Sequence, residues 1–242
     1  MGSNDVRRGA VLSLVGQEKD LLFYSREVEA RGGPVLVLGA GTGKLAWELA
    51  LRGLKVTAVE PSEVMAATAN ERRSRERAEA SDRLEILCSD VRAVRLDERF
   101  PVVLAPQNAL ALMATLDDLD ALLSTVRHHL APDGVLVFDV LNPNPGPFQP
   151  AHEPEEAWRP LEGVEPPRPV FAPHLRERTR SGEGFSEGIR RLRLRHFSVA
   201  EIDTALREAG FEATERYGSF DRRPFEQQDA VQVVVAVRSA DV

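Results

Sequence analysis

Short apolar runs bounded by glycine, proline or aspartate alternate along the chain with segments of helical period. That alternation is the pattern of βαβ units, whose strands lie side by side in a largely parallel sheet. Strands are expected at Val35–Leu38 (VLVL), 56–59 (VTAV), Leu84–Cys88 (LEILC), 102–105 (VVLA) and 135–140 (VLVFDV), all of strand length and rich in β-branched residues. Leu116, Leu119, Leu122, Leu123, Val126 and Leu130 recur at three- and four-residue steps and predict an amphipathic helix, stopped by Pro132-Asp133-Gly134. Ser198 and Glu201 have the spacing of a capping box ahead of Val199, Ile202 and Leu206, with Gly210 closing that helix. The run 230–237 (AVQVVVAV) reads as a late central or near-edge strand, with Phe211–Tyr217 as its antiparallel neighbour.

Between Pro143 and Pro173 lie ten of the sixteen prolines, a density that excludes a regular helix or central strand and marks an insertion. After it, Leu192 and Leu194 alternate with Arg191, Arg193 and Arg195 across 189–197, as in a strand with one covered and one charged, solvated face. The chain has 242 residues, 43% hydrophobic and 29% charged, enough to bury one elaborated core without staples. A net charge of −7 gives no overall attraction to nucleic acid or anionic lipid. The one cysteine, Cys88, excludes an internal disulfide and reads as a core residue of its strand. No signal-peptide stretch and no membrane-length apolar run is present, so a cytoplasmic location is expected.

The candidate chemistry lies in 35–44, VLVLGAGTGK, where a strand runs directly into Gly39, Gly41 and Gly43 and then into a helix. A tight strand-to-helix turn needs unusual backbone angles, and the missing side chains let a ligand lie against the helix N-terminus. The second strand ends in Glu60, followed by Pro61, where a carboxylate can accept from both hydroxyls of an adenosine ribose. A dinucleotide fingerprint wants Gly or Ala three residues after the second glycine, and Lys44 stands there instead.

The G-x-G-x-G pattern resembles motif I of the class I S-adenosylmethionine (SAM)-dependent methyltransferases, and further segments resemble the family in order. Ser89-Asp90-Val91 resembles the site where an acid binds the adenine amino group, 100–108 (FPVVLAPQN) the fourth strand and its mouth, and 129–139 (HLAPDGVLVFD) the fifth-strand unit. The match covers roughly 20–141 and 196–238 and extends to the subgroup acting on sugars, amines and natural products. The resemblance implies a Rossmann-like α/β fold: a mostly parallel seven-stranded sheet, helices on both faces and an inserted lid of antiparallel strands. It implies one domain over 1–242, with an N-terminal helical segment at 1–31 and the Pro-rich and strand insertion at 143–197 as substrate lid.

The implied cofactor site comprises Gly39, Ala40, Gly41, Gly43, Glu60, Pro61, Asp90, Val91, Ala105 and Gln107, with Tyr24 closing over the cofactor or simply packing in its helix. Two positions depart from the family. Pro101 stands where the fourth strand usually has an acid, and Val37 replaces the acid that supports the cofactor's methionine end. Methyl transfer needs mainly alignment and exclusion of water. If a base is used, His152, His174 and His196 are the candidates, while His128 and His129 are expected to cap a helix end. Gln107 and Asn108 contact ligand or are ordinary loop polarity. The expected function is methylation of O or N in a small molecule by a monomer or homodimer, with no metal and no nucleic-acid or membrane partner. The alternatives are a non-catalytic SAM-binding protein and an NAD-dependent oxidoreductase.

Overall fold

The computed structural model describes residues 18–142, 170–171, 174–181, 184–191 and 194–240. Helix α1 (Glu18–Arg31) leads into β1 (Val35–Leu38), α2 (Lys44–Leu51), β2 (Val56–Glu60), α3 (Glu63–Glu71), α4 (Ala78–Arg83), β3 (Leu84–Cys88), β4 (Phe100–Ala105), α5 (Leu116–His129) and β5 (Leu130–Leu141). Then come β6 (Val170–Phe171), β7 (His174–Ser181), β8 (Gly184–Arg191), β9 (Leu194–Arg195), α6 (Val199–Glu208), β10 (Phe211–Tyr217) and β11 (Val231–Arg238). Seven strands form one sheet in the order β10-β11-β5-β4-β1-β2-β3. β1 to β5 are mutually parallel, while β11 enters antiparallel between β5 and β10. Outside it, β7 pairs with β8 and β6 with β9, both antiparallel.

The two-residue period of the strands divides the core between the two faces of the sheet. Leu36, Leu38, Val103, Leu136 and Phe138 pack with Leu119, Leu122 and Val126 of α5 and Ile202 and Leu206 of α6. Val35, Val37, Leu104, Val135 and Val137 point the other way, onto Phe23, Tyr24 and Val28 of α1 and Leu45, Trp47 and Leu49 of α2. Asp139 shares the parity of Val135 and Val137, so this buried carboxylate of β5 faces α1 from within an apolar layer.

Three expectations are corrected. Helix α5 ends at His129, three residues before Pro132, and Pro132 to Gly134 lie within β5, where the register against β4 shifts. The stop comes from His129: fully buried, its ring contacts the Thr125 carbonyl through Nδ1 at 2.8 Å and the Leu96 N–H through Nε2 at 2.8 Å. Of the expected strand at 189–197, residues 189–191 belong to β8 and 194–195 to β9. Arg195 is no member of a solvated stripe: 8% exposed, it pairs with Glu201 at 3.1 Å and lies over the Phe197 ring. Cys88 is exposed because it ends β3, the edge strand, at the open carboxyl end of the sheet.

Candidate active site

The strand order reverses between β1 and β4, so the loops leaving these two strands diverge and open a crevice at the carboxyl end of the sheet. On the β1 side, Gly39, Gly41 and Gly43 all have positive φ. The case for glycine is strongest at Gly43, with φ 77° as N-cap of α2, where a Cβ would lie 2.9 Å from the Ala69 Cβ and 3.2 Å from the Trp47 ring. The N–H groups of Gly39 and Ala40 both bond the Val59 carbonyl, at 2.8 and 3.1 Å, which pins the turn to β2. Glu60 completes it, its carboxylate accepting from the Gly41 N–H at 2.8 Å and the Ser62 N–H at 2.9 Å.

On the β4 side, Gln107 and Asn108 have φ 58° and 59°, a left-handed pair without glycine. Each such residue costs on the order of 1 kcal/mol or more and needs holding from outside. Asp139 holds both. Its Oδ1 accepts from the Gln107 N–H at 2.6 Å and the Tyr24 hydroxyl at 2.5 Å, and its Oδ2 from the Asn108 N–H at 2.7 Å. The Asn108 side chain is buried and accepts from the Leu141 N–H at 3.1 Å, so it works in the fold. Burial pushes the Asp139 carboxyl up to about 7, with the three donors opposing, and burial beside Asp139 holds the Tyr24 hydroxyl well above its ordinary value.

Farther along the crevice, Asp90 follows β3 and is held by Arg92, which bridges it to Asp118. The Arg92 hydrogen bond, chief among the causes, lowers the Asp90 carboxyl below its ordinary value, with burial opposing it. Val91 turns into the core. Above α1, Phe220 packs on Phe23 and Tyr24 with ring centroids 5.8 and 6.0 Å apart, and Arg222 pairs with the buried Glu27. The segment after β10 is thereby fastened to α1.

Residues 35–134 match a family described as a methyltransferase domain. The CcbJ methyltransferase from Streptomyces caelestis is 26% identical, with 93% of this chain and 92% of that one covered at a TM-score of 0.73. Over residues 35–134 the chain is thus similar to a methyltransferase domain. The Bacillus subtilis (strain 168) protein YqeM, named as a methyltransferase, is 31% identical over 109 residues, 45% of this chain, which spans 42% of that relative's length. The SAM-bound amino pentose methyltransferase CalS10 from Micromonospora echinaspora shares the fold at 22% identity and TM-score 0.59, with 93% of both chains covered.

The residues of the domain fit this cofactor. A carboxylate has about four acceptor positions, and Glu60 uses two on the backbone, which leaves two for the ribose hydroxyls. Nothing lies within 4 Å of the place a Cβ would take at Gly41, so the turn is open there, and an adenine amino group would have to share Asp90 with Arg92. SAM, when bound, would supply an electrophilic methyl carbon on sulfur, and the chain's own groups would have to bind it, orient it and exclude water.

Gly39, Ala40, Gly41, Gly43, Glu60, Ala105 and Gln107 meet around the crevice at the ends of β1, β2 and β4, and Pro61 lies exposed after Glu60. Tyr24 lies beneath the crevice as the donor to Asp139. His152 lies outside the described residues, and His174 opens β7 with its side chain outside them as well. His196 sits between β9 and α6, where burial lowers it to about 4. Sequence reasoning missed Asp139 and Asp20. The signal for Asp139 was present, a charged residue inside the run VLVFDV, where strand alternation puts it on a face that must be buried.

Proposed function

We propose that the chain transfers the methyl group of SAM to an oxygen or nitrogen of a small molecule, of the sugar or natural-product class. The observation that carries this reading is the crevice between β1 and β4, floored by Glu60 and the glycine turn, with the Tyr217–Phe225 stretch fastened to α1 by Phe220 and Arg222. A site walled in this way suits a compact acceptor better than a polymer, and the net charge of −7 disfavours nucleic acid. Likeness to CcbJ across nearly the whole chain supports methyl transfer, and the shared fold of CalS10 adds an amino sugar as a precedent for the acceptor.

The insertion 143–197 serves as the lid in this reading, with β9 packed beside the turn Ala109–Leu112 that follows β4. His152 and His174 stay candidates for a base. His196 is the weakest, because a group lowered to about 4 is unprotonated at neutral pH but far from the value at which proton transfer is most efficient. No described helix is long and apolar enough to cross a membrane, and the reading places the protein in the cytoplasm as a monomer or homodimer.

The test is calorimetry with S-adenosylhomocysteine and NAD, followed by methyl-labelled SAM with a panel of amino sugars, phenols and small amines. Saturable binding of the first ligand alone and label in a panel member support the reading. Binding of NAD alone refutes it, and cofactor binding with no transfer to any acceptor favours a non-catalytic SAM-binding protein.

A further inference from the structure

Val37 is fully buried on the α1 face of β1, in register with Leu104 of β4. The family resemblance implies an acid at this position, supporting the cofactor's methionine end. The same face of the sheet is met by a different carboxylate, that of Asp20 in the first turn of α1. Asp20 lies four residues before Tyr24, on one face of the helix. Tyr24 reaches Asp139, and Asp139 holds the Gln107 N–H. Through these bonds the Asp20 end of α1 is tied to the carboxyl end of β4, beside the point where β1 and β4 part.

Asp20 is 1% exposed, yet its hydrogen bonding is incomplete. Oδ1 accepts from the Leu21 N–H at 2.6 Å, while Oδ2 is buried with no hydrogen-bond partner. A buried carboxylate oxygen without a donor is costly and rare in a native fold, and it points to a donor from outside the polypeptide. The other acids of the crevice are engaged: Asp139 by three donors, Glu60 by the glycine turn and Asp90 by Arg92. Burial raises the Asp20 carboxyl above its ordinary value, while the Leu21 N–H, the Gln107 amide and the Lys44 charge pull it down. Gln107 and Lys44 follow β4 and Gly43 respectively, so these two influences reach Asp20 from both walls of the crevice.

We propose that Asp20 binds the α-ammonium group of the cofactor's methionine moiety, supplying from α1 the charge that β1 lacks at Val37. The proposal rests on SAM being the cofactor.

The experiment compares two ligands by calorimetry: S-adenosylhomocysteine, which has the amino-acid end, and 5′-methylthioadenosine, which has the adenosine and thioether but no ammonium. Asp20→Asn, nearly the same in shape, is expected to weaken the first about ten- to hundredfold, the value of one charge-assisted hydrogen bond. It should leave 5′-methylthioadenosine within about twofold of wild type, since no bond to that ligand is removed. Glu60→Ala weakens both, and thermal melts of the variants verify that they fold. Unchanged binding of S-adenosylhomocysteine by Asp20→Asn, or equal loss of both ligands, overturns the proposal. Failure of the wild type to bind either ligand sinks the cofactor assignment itself, and Asp20 with it.

Discussion

Replacing Asp139 with asparagine tests the physical account of the β4 wall. The carboxyl moves from 3.8 in the unfolded chain to about 7 in the folded protein because burial disfavours its charge. A raised carboxyl stabilises the fold fully below 3.8, and this contribution is lost as pH rises through 7. Over the two pH units from 5 to 7 the loss runs at about 1.4 kcal/mol per unit, so the wild type gives up about 3 kcal/mol between pH 5 and 8 through this one group. The amide of the Asp139→Asn variant would not titrate. It would keep one acceptor for three donors, Tyr24 Oη and the N–H groups of Gln107 and Asn108, a loss of about 1 to 3 kcal/mol at pH 5. The variant is therefore expected to be clearly less stable than wild type at pH 5 and equal to it, or slightly more stable, at pH 8. Urea denaturation of both proteins at four pH values, followed by the fluorescence of the buried Trp47, measures the difference. A difference that stays constant within about 0.5 kcal/mol, or that grows with pH, would refute the claim that Asp139 is charged only at a cost.

Gly43→Ala should destabilise the domain by about 1 to 3 kcal/mol, because it adds a clash with Ala69 to a left-handed backbone; a melting temperature equal to wild type would show that the turn relaxes freely. Burial lowers His129 below its ordinary 6.5, so its contribution is intact above 6.5 and fades as pH falls through the lowered value. His129→Phe should cost about 1 to 3 kcal/mol at pH 8 by leaving the Leu96 N–H unpaired, with a smaller cost at pH 5; denaturation curves at the two pH values decide, and an equal cost at both refutes the assignment. Glu60→Ala should weaken S-adenosylhomocysteine at least about tenfold in calorimetry through lost ribose bonds, and undiminished affinity would remove Glu60 from the cofactor site.

The strands of the main sheet, the helical period of α5, the Ser198 capping box and the glycine turn were legible in the sequence, because each is written in local chemistry: a short apolar run, a period of 3.6, a hydroxyl three residues before an acid, or a glycine where φ is positive. Glu60 was legible for the same reason, standing where a strand ends. The termination of α5 was not, since His129 is anchored by Leu96, which lies 33 residues earlier in the chain. Nor was the fate of Arg195, whose alternation with leucines says nothing about the Glu201 and Phe197 that cover it.

The sequence by itself determined the class of fold and the two elements, glycine turn and Glu60, that meet beside β1. Only the tertiary structure decided what gathers beneath the β4 wall. Asp20, Tyr24, Gln107 and Asp139 come from three separate elements, and a carboxylate reveals its role only when the packing around it shows which of its oxygens has a donor. For Asp139 that packing supplies three donors, and for one oxygen of Asp20 it supplies none.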